Sequence, residues 1–398
     1  MGVFAVAAGA SAAKPESAEK PWIVDRFDDI KVIRYEVPGF ESLPLREKEL
    51  IYYLSEAAKC GRDILFDQNF KYNLVIRHTL ERIYNDTDDR DSADFKALEK
   101  YLKKMWFANG IHHHYSNDKF RPEFAEKWLR EQIDRYVYSD DLDIPVDFLC
   151  AILYDPDMYP SRLNQTAGAD VILTSANNYY EGVDQQQVEE FYARMAEQHK
   201  DDKEPISYGL NSKLMADEEG NVVERVWRVG GMYSPAIEKI VYWLDKAAAV
   251  AEEPQRTTIA AGVAEPVQRR TIEALAKYYR TGDLNDFDAY NILWVKDLES
   301  NVDFVNGFIE DYGDPLGRKA SWEANVNFRD EQACRRTEII SANAQWFEDN
   351  SPVDPAYKKK TVKGVSAKVI TVAMLGGDCY PATPIGINLP NADWIRKE

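Results

Sequence analysis

Metal-binding and redox signatures are scarce in this chain. Its four cysteines, Cys60, Cys150, Cys334 and Cys379, lie far apart and form no C-x-x-C pair. That excludes a zinc ribbon or a thioredoxin-type motif. Free buried thiols are the default state, with one or two disulfides left open if the chain is exported. Only five histidines are present, and no H-E-x-x-H spacing joins them. There is no G-x-G-x-x-G, no P-loop and no repeat at solenoid periods. No apolar run after the first residues approaches the length of a membrane span. Positive charge is also in short supply. With 49 Lys and Arg against 68 Asp and Glu, the formal net charge is −19. So acidic a chain argues against nucleic acid as the main partner, because phosphate binding needs a cationic surface.

What is present is a globular composition, 45% hydrophobic and 12% aromatic, in a chain long enough to bury a large core and build more than one lobe. The first residues, from Met1 to Ala13, read like the end of a signal peptide: a short apolar run followed by Ala10-Ser11-Ala12, an A-x-A cleavage pattern. The basic n-region is missing. A disordered Ala-rich terminus is the other reading of residues 1–20. As a signal, the segment places the mature protein in the periplasm or outside the cell; otherwise the chain is cytoplasmic.

Along the chain, Ile30 to Val37 alternates like a strand. Pro44 then opens a helix carrying Leu50, Ile51, Leu54, Ala57 and Ala58, which Gly61 stops. Helices follow over about Tyr72–Tyr84 and Asp94–Ala108, and again from Pro122 through Tyr136. This first third is a helical layer whose aromatic stripes belong to a core. Val171 to Thr174 reads as a short buried strand. Asp184 with Gln187 makes a capping-box start for a helix through about Gln198. Asn221 to Arg228 alternates as a strand. Ser234-Pro235 opens a further helix, and another runs from Pro266 to about Arg280. Without a regular strand–helix alternation, the fold class is α+β rather than a doubly wound sheet.

The triplet His112, His113 and His114 follows Gly110. Consecutive side chains project in different directions on a helix or a strand, so three adjacent imidazoles rarely converge on one metal. The spacing favours a structural or surface role over a metal module.

The last quarter crowds acidic, amide and glycine-turn residues onto an apolar framework, as a binding cleft requires. Its segment Phe308-Ile309-Glu310-Asp311-Tyr312-Gly313-Asp314-Pro315-Leu316-Gly317 resembles the F-I-E-S-Y-x-D-P-x-G segment of the dipeptidyl peptidase III family. Gly386-Ile387-Asn388-Leu389-Pro390-Asn391 resembles that family's G-I-N-x-P-N. Gly231 to Pro235, with the helix that follows, also fits the family, and Lys363 to Asp378 looks like its bacterial branch.

The resemblance implies a zinc exopeptidase that removes dipeptides from the N-terminus of oligopeptides. It implies a two-lobed fold around a wide cleft, one lobe with helices and a five-stranded β-barrel, the other helical and holding the zinc. On that fold, residues 21–323 belong to the barrel lobe, 324–368 make an excursion into the helical lobe, and 369–398 return. The family's substrate-amine residues match Asp303, Asn388 and Asn391. A carboxylate and amide oxygens are the partners that an ammonium with three donors needs. Two features depart from the pattern. Val305 stands where eukaryotic members carry a tyrosine that polarises the scissile carbonyl. The zinc motif H-E-x-x-G-H and its later glutamate are absent. In such a motif zinc polarises the carbonyl and activates water, with the glutamate as general base. The chain therefore reads as the N-terminal part of such an enzyme, inactive alone, which binds no zinc specifically and whose partner is the lobe carrying that motif. The alternative is a non-catalytic peptide-binding protein that keeps the amine-binding half of the cleft.

Overall fold

The computed structural model describes residues 22–137, 142–251, 267–364, 367–381 and 383–397. The signal-like terminus and Pro266 fall outside them. Two compact units divide the chain, Met1–Glu36 and Val37–Glu398. In the first, β1 (Ile23–Phe27) and β2 (Ile30–Ile33) form an antiparallel hairpin. Its turn holds Asp28 in the left-handed region, at φ 50°, which aspartate tolerates better than most residues. The strand expected over residues 30–37 thus ends at Ile33.

The second unit begins with the expected helical layer: α1 (Leu45–Cys60), α2 (Arg62–Asn69), α3 (Asn73–Asp86), α4 (Ala93–Ala108), α5 (Glu126–Tyr136) and α6 (Val146–Tyr154). Helical spacing in α1 puts Leu50, Leu54, Ala57 and Ala58 on one buried stripe. Helices α2 to α6 close their own apolar core around Ile76, Leu80, Leu102, Met105, Leu129 and Leu149. Asn109, at φ 56°, takes the left-handed turn that ends α4.

Residues 171–174 are not the expected strand but a turn. Asp170 organises it: Oδ1 accepts the backbone N–H groups of Ile172 and Leu173, both at 2.9 Å. A side-chain acceptor two and three residues back outcompetes a ladder that this apolar run could otherwise join.

Further on, β3 (Tyr180–Glu181), β4 (Ser212–Ala216) and β5 (Val222–Val226) form a three-stranded sheet in that order. Between β3 and β4 runs α7 (Gln185–Gln198), entered through the expected Asp184/Gln187 capping box. Three helices follow, α8 (Ser234–Val250), α9 (Val267–Thr281) and α10 (Leu284–Lys296). The second three-stranded sheet is antiparallel, in the order β6 (Val302–Glu310), β7 (Ser321–Arg329), β8 (Ile370–Gly377). Between β7 and β8 lie α11 (Glu331–Ala342) and α12 (Ala344–Asn350).

Side chains alternate across β6 and β7 with a period of two. One face carries Phe304, Phe308, Trp322, Ala324, Val326 and Phe328 into the core shared with α1, α8 and α9. On the other face Asp303 stands opposite Asn327, and Val305 opposite Asn325. Glu323, Asn325 and Asn327 are buried all the same. Asn327 Nδ2 donates to Asn325 Oδ1 at 2.8 Å, and the Cys379 thiol donates to Glu323. Burial, with Asp378 and Glu310 nearby, pushes the Glu323 carboxyl up to about 8.

The described residues form a mixed α+β structure, and they contain no closed five-stranded barrel. Their strands fall into one two-stranded and two three-stranded sheets. The outer edge of β6 shows why closure fails there. Gln268 of α9 donates to Val302 O at 2.6 Å, Trp294 of α10 donates to Phe304 O at 3.1 Å, and the Asn306 backbone bonds the Tyr290 hydroxyl. Helical side chains occupy the positions that a neighbouring strand would need. No helix among the described residues is long and apolar enough to cross a membrane.

Two measurements test this packing. A Cβ at Gly61 would overlap the buried Trp322 ring, whereas one at Gly386 meets no heavy atom within 4 Å. Gly61→Ala should therefore cost about 1–3 kcal/mol in chemical denaturation, and Gly386→Ala no more than about 0.5 kcal/mol. Equal midpoints for the two variants would refute the close approach. Glu323 holds its proton up to about pH 8 when folded but only to about 4 in an unfolded chain. The folded state then binds the extra proton between those values, so stability falls as pH rises through them. Glu323→Gln should flatten that fall between pH 5 and pH 9, and an unchanged slope would count against the assignment.

Candidate functional site

A cavity of about 590 Å³ opens between α7, the segment 199–208, α10, the end of β6 and residues 389–392. Each wall has a local cause. From α10, Phe287, Asp288, Asn291 and Trp294 project on one side, as a spacing of three and four residues requires. Asp283 starts that helix by accepting the Asn285 N–H at 2.9 Å. In β6, Val305 and Ile309 lie four residues apart on one face, as a period of two requires, and both line the cavity. Tyr192 of α7 is fixed from behind by Lys319, a fully buried residue whose ammonium also donates to Ser212 Oγ at 2.9 Å. Burial pulls Lys319 down to about 8.

Residues 389–392 reach the cavity because Arg396 ties their loop together. Its Nε donates to Pro390 O at 2.6 Å and its Nη2 to Asn388 O at 3.0 Å. Ile395, fully buried, anchors the same stretch. Asn391 lines the cavity. Its Nδ2 faces Ile309 O at 3.5 Å and Glu310 Oε2 at 3.3 Å. The segments 308–317 and 386–391, remote in sequence, thus meet at one wall.

The three residues matched to an amine site do not all share that place. Asn388 is exposed, with its carbonyl engaged by Arg396. Asp303 sits near the start of β6, where Oδ1 accepts from Trp294 Nε1 at 2.9 Å and from the Phe304 N–H at 2.7 Å. Burial raises its carboxyl above the usual range, and the Lys368 ammonium opposes that rise. Six residues of strand separate Asp303 from Ile309, about 20 Å at about 3.3 Å per residue. Asp303 meets the cavity through Trp294, whose ring is part of the wall.

Sequence reasoning passed over α10 and with it Asp288. The signal was available: Asp283 as a cap, then Leu284, Phe287, Tyr290 and Trp294 at helical spacing. Burial, and after it the Glu204 carboxylate, pushes Asp288 up to about 7. Among the described residues no donor reaches it. The other charged groups on the wall are Lys200, Asp202, Asp311 and Arg318. Asp202 is bonded to His199 Nδ1 at 2.9 Å.

The histidine triplet is divided among separate duties. His112 Nε2 bonds Tyr159 O at 3.0 Å, and burial pulls its pKa down to about 4. His113 Nδ1 accepts the N–H groups of Tyr115 and Ser116, both at 3.1 Å, which makes it a turn cap. His114 stacks on the His113 ring at 4.5 Å. Among the described residues no group of three or more His, Cys, Asp or Glu side chains is placed to hold a metal ion. The residues present do not fit the zinc that the resemblance implies, and no step is derived through it.

Over 189 residues the chain is 31% identical to dipeptidyl peptidase 3 of Rattus norvegicus, a match covering 47% of this chain and 23% of that protein. Over 168 residues it is 27% identical to Nudix hydrolase 3 of Arabidopsis thaliana, covering 42% of this chain and 20% of the other. The solved structure of dipeptidyl peptidase III from Caldithrix abyssi superposes with a TM-score of 0.59 at 18% identity, covering 89% of this chain and 54% of that one; the likeness is one of fold. The chain thus spans about half the length of that solved relative, and its matches span less than a quarter of these two curated ones. The sequence model of peptidase family M49 matches residues 175–398, more than half of the chain, and the chain belongs to that family.

Proposed function

We propose that the chain forms the peptide-binding wall of a zinc-dependent dipeptidyl peptidase of the dipeptidyl peptidase III type, an enzyme that releases dipeptides from the N-terminus of oligopeptides. One observation carries this reading. The two segments that resemble the family's motifs meet at the 590 Å³ cavity, joined where Asn391 faces Ile309 O and Glu310. A concave, largely apolar site with a few converging polar groups is the usual form of a ligand pocket.

In this reading an oligopeptide lies in the cavity with its free amine toward the polar groups. Asn391 offers its amide oxygen directly, and Asn388 stands three residues before it on the same loop. Asp303 adds negative charge from behind Trp294. The chain's own contribution is binding and orientation. Water activation belongs to the H-E-x-x-G-H motif, which these 398 residues do not contain, so the zinc-bearing lobe comes from polypeptide that carries it.

Calorimetry with a pentapeptide of alanine tests the binding half. The free-amine form should bind more tightly than its N-acetyl form. Asn391→Ala should weaken the free-amine form by about 1.5–3 kcal/mol, the range for a hydrogen bond to a charged group. Equal binding of the two peptides would sink the reading. The purified chain should leave dipeptidyl-arylamides intact with zinc added, and turnover that a chelator abolishes would show that the catalytic residues had been misread.

A further inference from the structure

The segment 199–208 is a partition between two hollows. On one side lies the cavity of about 590 Å³; on the other is a smaller one of about 270 Å³, bounded by Ser212, Glu224 and the start of α10. Ile206 and Tyr208 belong to both walls. The ends of the segment meet. The His199 and Tyr208 rings lie 4.6 Å apart, and His199 Nδ1 bonds Asp202 Oδ2 at 2.9 Å. A compact loop with touching ends is a unit packed by its own side chains.

That unit is lightly tied to the body. Among the described residues its backbone hydrogen bonds stay local: the Asp202 N–H donates to His199 O at 3.1 Å, the Tyr208 N–H to Ile206 O at 2.9 Å, and the Leu210 N–H to Ser207 O at 3.3 Å. Residues 201–205 are exposed. Few buried contacts and a solvated backbone mark a segment of low local stability. Support resumes at Leu210, whose carbonyl accepts the Ala320 N–H at 2.9 Å. Gly209, at φ 88°, makes the turn between the loop and that support.

The facing helix α10 has no such freedom, because Trp294 and Tyr290 bond the outer edge of β6. Its Asp288 lines the larger cavity and feels the Glu204 carboxylate of the loop. Burial, and after it Glu204, pushes the Asp288 carboxyl up to about 7, and no cation offsets that rise. The other groups around it do not change the balance. From α9 the Tyr278 phenol interacts with Asp288. On α10 itself, Asp283 caps the helix and Asp286 pairs with Lys277 at 2.6 Å. The loop's Lys200 is bonded to Glu197 at 2.5 Å, and its Asp202 to His199. Across the cavity, Arg318 lies over the Tyr192 ring at 5.1 Å, beside Asp311.

We propose that the segment 199–208 is a gate to the larger cavity, held against α10 while Asp288 keeps its proton and released when Asp288 and Glu204 are both charged. Because Ile206 and Tyr208 are shared, release also opens the larger hollow toward the smaller one. The inference goes beyond the peptide-binding reading and holds whatever the cavity takes. Once released, Asp288 faces water and titrates near the ordinary value of about 4; closed, it titrates at about 7. Opening therefore gives up a proton between those values. The open fraction climbs as pH rises from about 4 to about 7 and levels off above, where both states are ionised.

Hydrogen exchange of the whole chain from pH 5 to pH 9 tests this, each rate being divided by that of an unstructured peptide of the same sequence. Protection of residues 200–207 should fall at least about tenfold between pH 5 and pH 7, the linkage expected of one released proton, and stay level from pH 8 to pH 9. Asp288→Asn, neutral at every pH, should keep the pH 5 protection throughout. Glu204→Gln, at an exposed position, should shrink the step, since burial still raises Asp288 in its absence. Flat wild-type protection, or a step that persists in Asp288→Asn, overturns the gate. Should Asp288→Asn fail to fold, Glu204→Gln decides: a smaller step supports the pair, and an unchanged step removes it. None of these outcomes touches the peptide-binding reading, whose own test is the preference for a free amine.

Discussion

Trp322 is the constraint on which the rest of the second unit depends. Its indole is fully buried, and every side of it is held by something different. Its backbone N–H donates to Gln68 Oε1 at 2.8 Å, and Gln68 in turn donates to Ala320 O at 3.0 Å. The indole N–H donates to the Tyr279 hydroxyl at 3.0 Å, and that hydroxyl donates to Asn306 Oδ1. One ring thereby ties α2, α9, β6 and β7 into a single arrangement. Two glycines make the space: Gly61, where α1 passes to α2, and Gly377, at φ 58°, where a side chain would strike the Trp322 carbonyl. A buried polar chain with every member satisfied specifies one packing, because any slip leaves a donor unpaired in an apolar core.

From that anchor the cavity follows in short steps. With β7 fixed, the pairing of Val302 with Phe328 and of Phe308 with Trp322 sets β6 in register. The outer edge of β6 is then closed by Gln268, Trp294 and Tyr290. Those bonds orient α10, so the same helix that covers the strand edge presents Asp288 and Trp294 to the cavity. The helix needs no separate support for its binding face. Its position is already settled by the backbone groups it satisfies.

Much of the helical framework was legible in the sequence. The stripes of α1, α3 and α4, the capping box of α7 and the Ser234-Pro235 start of α8 all rest on local spacing, which a chain displays without its partners. The turn at residues 171–174 was not legible, because it depends on whether Asp170 folds back on its own backbone. Nor was the absence of a closed barrel among the described residues, since only the fold brings Gln268 and Trp294 to the edge of β6. The polar row Glu323, Asn325 and Asn327 lay in plain alternation with Trp322, Ala324, Val326 and Phe328. Yet a strand buried on both faces does not announce which face is which. The candidate site was legible in part. The segments 308–317 and 386–391 do meet, but the distance along β6 from Asp303 to Ile309 cannot be seen in a motif.

That distance points to a general property of the motif segment 308–317. Most of its residues hold the turn rather than the ligand. Phe308 is core. Asp314 is nearly inaccessible, and it accepts from the Tyr180 hydroxyl at 2.8 Å and from the N–H groups of Arg318 and Lys319 at 2.7 and 2.8 Å. With the Leu316 N–H at 3.2 Å on Oδ1, four donors on one carboxylate make it the clasp that returns β6 into β7. Gly317, at φ 59°, takes the left-handed position that the return needs. Within the segment only Ile309, Asp311 and Gly317 line the cavity itself. A family signature can therefore be in large part a signature of the wall's construction. The acid conspicuous in the signature, Asp314, is already saturated by the fold. A carboxylate that already accepts several hydrogen bonds has little further free energy to gain from a ligand.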